Sequence, residues 1–130
     1  MKIAHVIQSQ QFTVPLIREL FDRTKEMERI VRRGGTKDYE RYIMASLFYA
    51  PSTRTRFSFE SAMLRLGGKV LSTEQAKEFS SEIKDERLED TIRIIGNYCD
   101  LIVLRHLEEG GAARAAAVSR VPIINAGDGS

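Results

Sequence analysis

The order of apolar segments along the chain constrains its fold more than any other feature of the sequence. Short apolar runs, as expected of buried strands, alternate with segments whose apolar residues recur at helical spacing. Strands are predicted over 42–49, 70–73, 101–104 and 121–125, and helices are predicted to begin at Thr13, Thr53, Leu88 and Ala112. Because parallel strands need a crossover that is usually a helix, this order predicts an α/β domain. We expect a parallel sheet flanked by helices on both faces, in a doubly wound, Rossmann-like domain of three layers.

Two segments carry further structural predictions. Apolar residues recur at helical spacing over 17–31, so the first helix is expected to pack one face inward. Gly34 and Gly35 are expected to end this helix. Residues 75–87 are polar and highly charged, without a clear period, which predicts a long exposed loop.

Composition excludes several classes of protein. The chain has 130 residues, a net charge of +2 and 42% hydrophobic residues, which fits one globular domain. No apolar run approaches the roughly 20 residues that cross a bilayer, and the N-terminal stretch lacks the apolar core of a signal peptide. The single cysteine, Cys99, cannot form an internal disulfide, and no zinc ligand set is present. We therefore expect a cytoplasmic chain with one domain over 1–130 and with no metal, membrane or nucleic acid as partner.

The residues that follow the first predicted strand suggest a ligand. The run Ser-Thr-Arg-Thr-Arg over 52–56 lies where that strand gives way to a helix, and ligands of open parallel sheets bind beyond the carboxyl ends of the strands. A helix start offers unpaired backbone N–H groups and a positive dipole end, to which hydroxyl and guanidinium groups add side-chain donors. A helix cap with surface arginines explains Ser52 or Thr53 alone, but it does not explain five consecutive donors. The run therefore favours a site for phosphate or carboxylate.

Three stretches of the sequence resemble a known family. FYAPSTRTRFSFESAMLRLGG at 48–68 resembles the signature of the transcarbamylases, and its Glu-Ser-Ala-Met continuation is similar to aspartate carbamoyltransferases, where ornithine enzymes usually show Glu-Val-Ala. DLIVLRHLEEGGAARAAA at 100–117 and VPIINAGDGS at 121–130 resemble the same family. The resemblance covers essentially the whole chain. It implies the carbamoyl-phosphate-binding half of an enzyme that carbamoylates aspartate in pyrimidine synthesis, with no cofactor.

The resemblance also implies a role for particular residues. Those that match the loop holding the phosphate of carbamoyl phosphate are Ser52, Thr53, Arg54 and Thr55. Arg54 would contact the phosphate and the ester oxygen and stabilise the charge that departs with phosphate. Thr55 and Arg105 would also reach the carbamoyl carbonyl, which becomes an oxyanion when the aspartate amine attacks. The expected catalytic residues are Arg54, Thr55 and Arg105, and the expected ligand is carbamoyl phosphate or phosphate.

Assembly is a further implication of the resemblance. Ser80 and Lys84 match a mobile loop that reaches into the site of a neighbouring subunit, in a family whose catalytic chains form homotrimers and have regulatory or other pyrimidine-pathway subunits as further partners. The sequence departs from the family at two positions. Asp85 stands where glycine is common, and an acid there weakens the field of Lys84 toward phosphate. Ala50 replaces a glutamate that usually bridges the two domains of the enzyme.

Other chemically capable side chains receive smaller roles. His106 directly follows a predicted strand and could act as an acid or base by its position. The resemblance places the ligand role on Arg105 instead, so we expect His106 to be structural or peripheral. We expect Cys99 to be a packed thiol and Asp128 to belong to loop structure near the site, and we assign His5 no role.

Two alternatives remain open at this point. The chain could belong to another transcarbamylase, for example one that uses ornithine, or it could be a non-catalytic module for anion binding or assembly. The aspartate-binding domain and the His-Pro-x-Gln motif of the family are not in this sequence. We therefore expect the chain to hold the phosphate end of the substrate without turning it over unaided.

Overall fold

Helices and strands alternate along the chain, as the sequence predicts. A computed structural model describes residues 3–74 and 87–129. The helices are α1 (Val14–Arg32), α2 (Thr53–Arg65), α3 (Leu88–Ile95) and α4 (Gly111–Val118). The strands are β1 (Ile43–Phe48), β2 (Lys69–Glu74), β3 (Leu101–His106) and β4 (Ile123–Asp128). The predicted loop over 75–87 lies outside the described residues except for Arg87.

The strands form one parallel sheet in the order β2-β1-β3-β4. β1 lies inside the sheet and is buried from Met44 to Phe48, as its continuous apolar run predicts. Its register pairs Phe48 with Glu74 on one side and with Arg105 on the other. The carboxyl ends of the three strands therefore meet at one edge of the sheet, the edge where ligands are expected.

Helices cover both faces of the sheet, which confirms the predicted three-layer α/β architecture. On one face, α2 packs through Met63 against side chains of β1 and β3, namely Met44, Phe48 and Val103. On the other face, α3 and α4 pack through Leu88, Ile92 and Ala115. They cover the alternate side chains of β1, β3 and β4, namely Ala45, Leu47, Ile102, Leu104 and Ile123. The alternation follows from the two-residue period of a strand.

The sheet has a topological switch point between β1 and β3. These strands are neighbours, yet the helices that follow them, α2 and α4, lie on opposite faces. The chain therefore leaves the sheet in opposite directions at this pair, which opens a crevice at the carboxyl edge. The segment that begins α2 and the last residues of β3 flank this crevice.

Strands β3 and β4 end two and three residues later than the sequence predicts, and β2 ends one residue later, at Glu74. β3 continues through Arg105 and His106, which therefore end the strand rather than follow it. β4 continues to Asp128, which was expected in a loop and instead ends that strand. Polar residues remain in the ladder because their backbones are paired: the N–H of Tyr49 donates to the carbonyl of Arg105 at 2.9 Å, and His106 pairs with Asp128. Backbone pairing does not depend on side-chain polarity.

The prediction that α1 packs one face inward is wrong for the described part of the chain. The helix has the expected amphipathic pattern, and Thr13 caps it by accepting from the N–H of Leu16 at 3.3 Å. However, no residue of α1 is buried, and Leu20, Phe21 and Val31 are exposed. Periodicity predicts an apolar stripe but does not say what covers it. No described helix, α1 included, is long and apolar enough to cross a membrane.

The N-terminal segment is attached to the edge of the sheet, which gives His5 a role that the sequence did not suggest. The N–H of Ile123 donates to Nδ1 of His5 at 2.9 Å. Val6 forms a parallel bridge with Ile124, and its carbonyl accepts from the N–H of Asn125 at 2.7 Å. These bonds cover β4 on its outer side and hold the segment in place.

Candidate anion-binding site

The N-terminus of α2 leaves several hydrogen-bond donors without a partner among the described residues. The first hydrogen bond of the helix runs from the N–H of Arg56 to the carbonyl of Ser52 at 2.9 Å. The backbone N–H groups of residues 53–55 therefore have no carbonyl acceptor within the helix. The Ser52 side chain makes no capping bond, in contrast to Thr13 of α1. A helix cap therefore does not account for Ser52. Its hydroxyl and these amides point to an anion site at this end of α2.

Of α2, α3 and α4, only α2 has an N-terminus without an acidic side chain in the part of the chain that the structure describes. The first turn of α1 also has no acid, but Thr13 caps that helix. α3 carries Glu89 and Asp90 in its first turn. At α4, the N–H of Ala112 donates to Oδ2 of Asp128 at 3.1 Å, so a carboxylate of the chain itself occupies that helix start. The first turn of α2 has no acid. The dipole of α2 would therefore stabilise an external anion, and the acids at the N-termini of α3 and α4 would repel one.

The predicted phosphate-binding residues lie together on the first turn of α2. Thr53 and Arg54 are exposed, and Ser52 and Thr55 are half-buried. No described carboxylate forms an ion pair with Arg54. The guanidinium group of Arg54 is therefore not neutralised within the described residues. An arginine in this state can donate paired hydrogen bonds to phosphate oxygens.

Arg56 is bound differently from the rest of the Ser-Thr-Arg-Thr-Arg run. Its Nη1 donates to Oε2 of Glu74 at 2.8 Å, and its Nε lies 3.2 Å from Oε2 of Glu60. Two carboxylates thus neutralise the guanidinium group, so Arg56 is not one of five consecutive donors available to a ligand. The spacing of Arg56 and Glu60 by four residues could have suggested their pairing from the sequence. The contact with Glu74 depends on the tertiary structure.

Arg105 lies at the switch point and is oriented by the backbone of β4. Its Nη1 donates to the carbonyl of Ala126 at 2.9 Å. Gly127, with φ +123°, faces this guanidinium group so closely that a Cβ atom there would lie 2.6 Å from Nη1 of Arg105. Sequence reasoning did not identify Gly127, because nothing local to Asn-Ala-Gly-Asp shows that an arginine of another strand lies against it. The register of β1 and β3 places Arg105 at the same edge as the start of α2.

His106 is a packed side chain beside the site, in agreement with a structural role. Its ring contacts the ring of Tyr49 edge-on at 4.8 Å between centroids, and its Nδ1 accepts from the N–H of Glu108 at 3.2 Å. A Cβ atom at Gly111 would meet the ring, so the start of α4 packs directly against it. Burial lowers the pKa of His106 below its ordinary value of 6.5, and the charge of Arg114 acts in the same direction, whereas Glu108 and Asp128 oppose the shift.

The lowered pKa of His106 predicts an acid-sensitive stability. Between the unfolded-state pKa near 6.5 and the lower folded-state pKa, the unfolded chain binds a proton that the folded chain does not. Stability is therefore complete above the unfolded-state value and falls as the pH falls through this window. Thermal unfolding followed from about pH 7.5 to 5.5 should show a smaller loss of melting temperature in His106→Asn than in the unsubstituted chain. Equal losses in the two proteins would contradict this assignment.

The other features of this edge do not favour an anion. A polar cavity of about 490 Å³ is lined by Leu107, Glu109, Asp128 and Gly129, and its acidic lining repels negative charge. Among residues 3–74 and 87–129, no group of three or more His, Cys, Asp or Glu side chains could hold a metal ion. Ser80, Lys84 and Asp85 lie outside the described residues. The anion-binding features therefore concentrate at residues 52–55 and Arg105.

The fold and the chemistry of this edge are those of parallel α/β domains that bind an anionic ligand at a topological switch point. Comparison with known proteins defines the family. The chain belongs to the aspartate/ornithine carbamoyltransferases: the family described as aspartate/ornithine carbamoyltransferase, carbamoyl-P binding domain, matches residues 4–130. The match extends over all the elements of the fold.

Individual relatives agree with this family. The chain is 53% identical over 135 residues to a chloroplastic aspartate carbamoyltransferase of Oryza sativa subsp. japonica, covering 99% of this chain and 37% of the relative. It superimposes on the catalytic subunit of M. jannaschii aspartate transcarbamoylase with a TM-score of 0.92 and 48% identity, covering 98% of this chain and 42% of that one. Aspartate transcarbamoylase of Trypanosoma cruzi in complex with carbamoyl phosphate and aspartate gives a TM-score of 0.86 at 36% identity, covering 96% and 41%. The chain thus spans about two fifths of the length of these relatives.

Proposed function

We propose that the chain binds carbamoyl phosphate at the N-terminus of α2 and is the carbamoyl-phosphate-binding half of an aspartate carbamoyltransferase. The observation that carries this proposal is the acid-free, uncapped first turn of α2 beside the switch point, while acids occupy the starts of α3 and α4. The family and the aspartate carbamoyltransferases similar to this chain support carbamoyl phosphate as the anion. We assign Ser52, Thr53, Arg54, Thr55 and Arg105 to its binding.

The proposed reaction needs positioned charge rather than a cofactor. The amine nitrogen of aspartate attacks the carbamoyl carbon, a C–N bond forms, and the C–O bond to phosphate breaks with the electron pair leaving on phosphate. The proton that the amine nitrogen loses passes to the departing phosphate. Thr55 and Arg105 would stabilise the oxyanion that forms on the carbonyl, and Arg54 would stabilise the departing phosphate. Arg54, Thr55 and Arg105 are therefore the proposed catalytic residues. Their contribution is to orient a substrate that is already activated as a mixed anhydride.

Calorimetric titration of the chain tests this function. We expect binding of both carbamoyl phosphate and inorganic phosphate, because the two ligands share the phosphate group that the first turn of α2 would bind. With aspartate added, we expect no sustained formation of N-carbamoyl-aspartate by this chain alone. Binding of neither ligand would overturn the proposal and favour a module for assembly. Sustained turnover would contradict the assignment of the chain to one half of the enzyme.

We also propose that copies of this chain associate as a trimer, as the resemblance implies. Two separate apolar surfaces support this. One is a groove of about 560 Å³ on the outer face of α2, with Phe57 and Leu64 exposed. The other surrounds a cavity of about 190 Å³ near β2, where Leu71 and Tyr98 are exposed. An interface that joins two different surfaces of one chain can close into a ring.

Light scattering tests the assembly. A trimer has a mass three times the 14.7 kDa of one chain, and replacement of the exposed Leu64 by aspartate should shift the mass to that of one chain. A monomeric mass for the unsubstituted chain would contradict the trimer.

Regulatory or other pyrimidine-pathway subunits remain proposed partners, as the resemblance implies. The cytoplasmic location also remains a prediction, and the relative from Oryza sativa is named as chloroplastic.

A further inference from the structure

Arg56 connects the first turn of α2 to strand β2. Its guanidinium group lies between Glu60 of the same helix and Glu74, the last residue of β2, at 3.2 and 2.8 Å. Oε2 of Glu60 also accepts from the hydroxyl of Ser72, on β2, at 2.8 Å. The side chains of Arg56, Glu60 and Glu74 are 21%, 17% and 33% exposed, so solvent screens these contacts less than it screens surface ion pairs.

The position of Arg56 makes this connection important for the proposed ligand. Its N–H makes the first hydrogen bond of α2, to Ser52, and the unpaired amides of residues 53–55 lie immediately before it. First turns of helices fray unless other contacts hold them in place. Here Arg56 connects the first turn of α2 to β2, a strand of the sheet that forms the crevice. The direction in which the amides and the Arg54 side chain point therefore depends on the contacts of Arg56 with Glu74 and Glu60.

We propose that Arg56 is a positioning residue for the anion site, which acts through Glu74 and Glu60 and does not itself contact the ligand. The inference rests on the proposed function, because it concerns the same site. A positioning role and a direct ligand role for Arg56 predict opposite effects on anion binding when the charge of Glu74 is removed. If Arg56 were a ligand, removal of the Glu74 charge would release its guanidinium group and strengthen anion binding. If Arg56 positions the turn, the same change weakens binding.

The test compares Arg56→Gln, Glu74→Gln and the double variant with the unsubstituted chain, by calorimetric titration with inorganic phosphate. Arg32→Gln and Glu28→Gln serve as matched controls, since they remove the same groups from a pair at 4.0 Å on α1 whose side chains are 80% and 61% exposed. The titrations are repeated in about 1 M NaCl, where the screening length is about 3 Å and long-range charge effects are suppressed. Arg56→Lys, which keeps the charge but cannot span two carboxylates, completes the set.

Amide hydrogen exchange gives a readout that does not require a ligand. The amide at position 56 reports on the first hydrogen bond of α2, and the amide of Leu66, which donates to Ala62 at 3.1 Å, reports on the opposite end of the same helix. We expect faster exchange at position 56 in Arg56→Gln and Glu74→Gln, with unchanged exchange at Leu66. A general loss of stability would instead accelerate both amides.

The expected outcome is weaker phosphate binding in both single variants, by about 3- to 10-fold, with no further loss in the double variant, because contacts that act as one unit are not additive. The ratio of each variant's phosphate affinity to that of the unsubstituted chain should be the same in about 1 M NaCl. Arg56→Lys should not restore binding. Stronger or unchanged binding in Glu74→Gln, or unchanged exchange at position 56, would overturn the positioning role. Absence of phosphate binding in the unsubstituted chain would instead overturn the proposed function. Glu60→Gln replaces Glu74→Gln if the latter fails to fold.

Discussion

Replacement of Arg54 by alanine should weaken the binding of carbamoyl phosphate and of phosphate by about 10- to 100-fold. A hydrogen bond to a charged group contributes about 1.5–3 kcal/mol, and 1.4 kcal/mol corresponds to a tenfold change in affinity. Arg54 is exposed and forms no ion pair among the described residues, so the fold should be unaffected. Titration calorimetry with each ligand measures the loss, and the melting temperature should stay unchanged.

Two further variants make the test of Arg54 specific. Arg54→Lys keeps the positive charge but cannot donate paired hydrogen bonds in one plane, so its affinity should lie between those of the alanine variant and the unsubstituted chain. Arg33→Ala removes one arginine, also exposed, at the end of α1 and should bind both ligands normally. If Arg33→Ala and Arg54→Ala lose affinity equally, the effect comes from net charge, and the assignment of Arg54 to the site is wrong.

Replacement of Gly127 by alanine should reduce both anion affinity and stability. The residue has φ +123°, which L side chains rarely adopt, and a Cβ atom would lie 2.6 Å from Nη1 of Arg105. Backbone strain of this kind costs about 1–3 kcal/mol. The Arg105 guanidinium group must also move from its bond with Ala126. Loss of the proposed contact between Arg105 and the ligand should reduce phosphate affinity about tenfold or more.

A second glycine separates these two effects. Gly34 has φ +96°, but a Cβ atom there would meet no heavy atom within 4 Å. Gly34→Ala therefore carries the backbone strain without displacing an arginine. It should lower the melting temperature and leave phosphate affinity unchanged, whereas Gly127→Ala should lower both. Normal phosphate binding by Gly127→Ala would show that the position of Arg105 is not needed for the ligand.

The same sequence run contains two arginines with different surroundings, and this difference shapes the proposed site. Arg54 and Arg56 are two residues apart, so they point in different directions from α2. Arg56 meets Glu60 and Glu74, while Arg54 meets no described carboxylate. Of the two arginines in the run over 52–56, only Arg54 therefore leaves its positive charge unpaired within the described residues, and Arg105 adds a second charge at the same edge. Specificity for one phosphate group is consistent with so small a number of available cations.

The sequence by itself determined the architecture and the position of the candidate site. Strand and helix periods depend on residues close together in the chain, so the alternation of elements predicted the parallel three-layer fold. The start of α2 at Thr53 and the end of β1 before Pro51 were also predictable from neighbouring residues. These two boundaries placed residues 52–55 at a helix N-terminus on the carboxyl edge of the sheet. The motif that carries the family resemblance is likewise a local pattern.

The tertiary structure alone decided which side chains pair and which stay available. The contact of Arg56 with Glu74 spans 18 residues of chain, and that of Ala112 with Asp128 spans 16. The approach of Gly127 to Arg105 joins two strands. The exposed apolar stripe of α1 was also not predictable, because a periodic pattern shows that a face is apolar but not what covers it. Pairing depends on distance in space, and distances between separate elements are set by packing of the whole domain rather than by neighbouring residues in the chain.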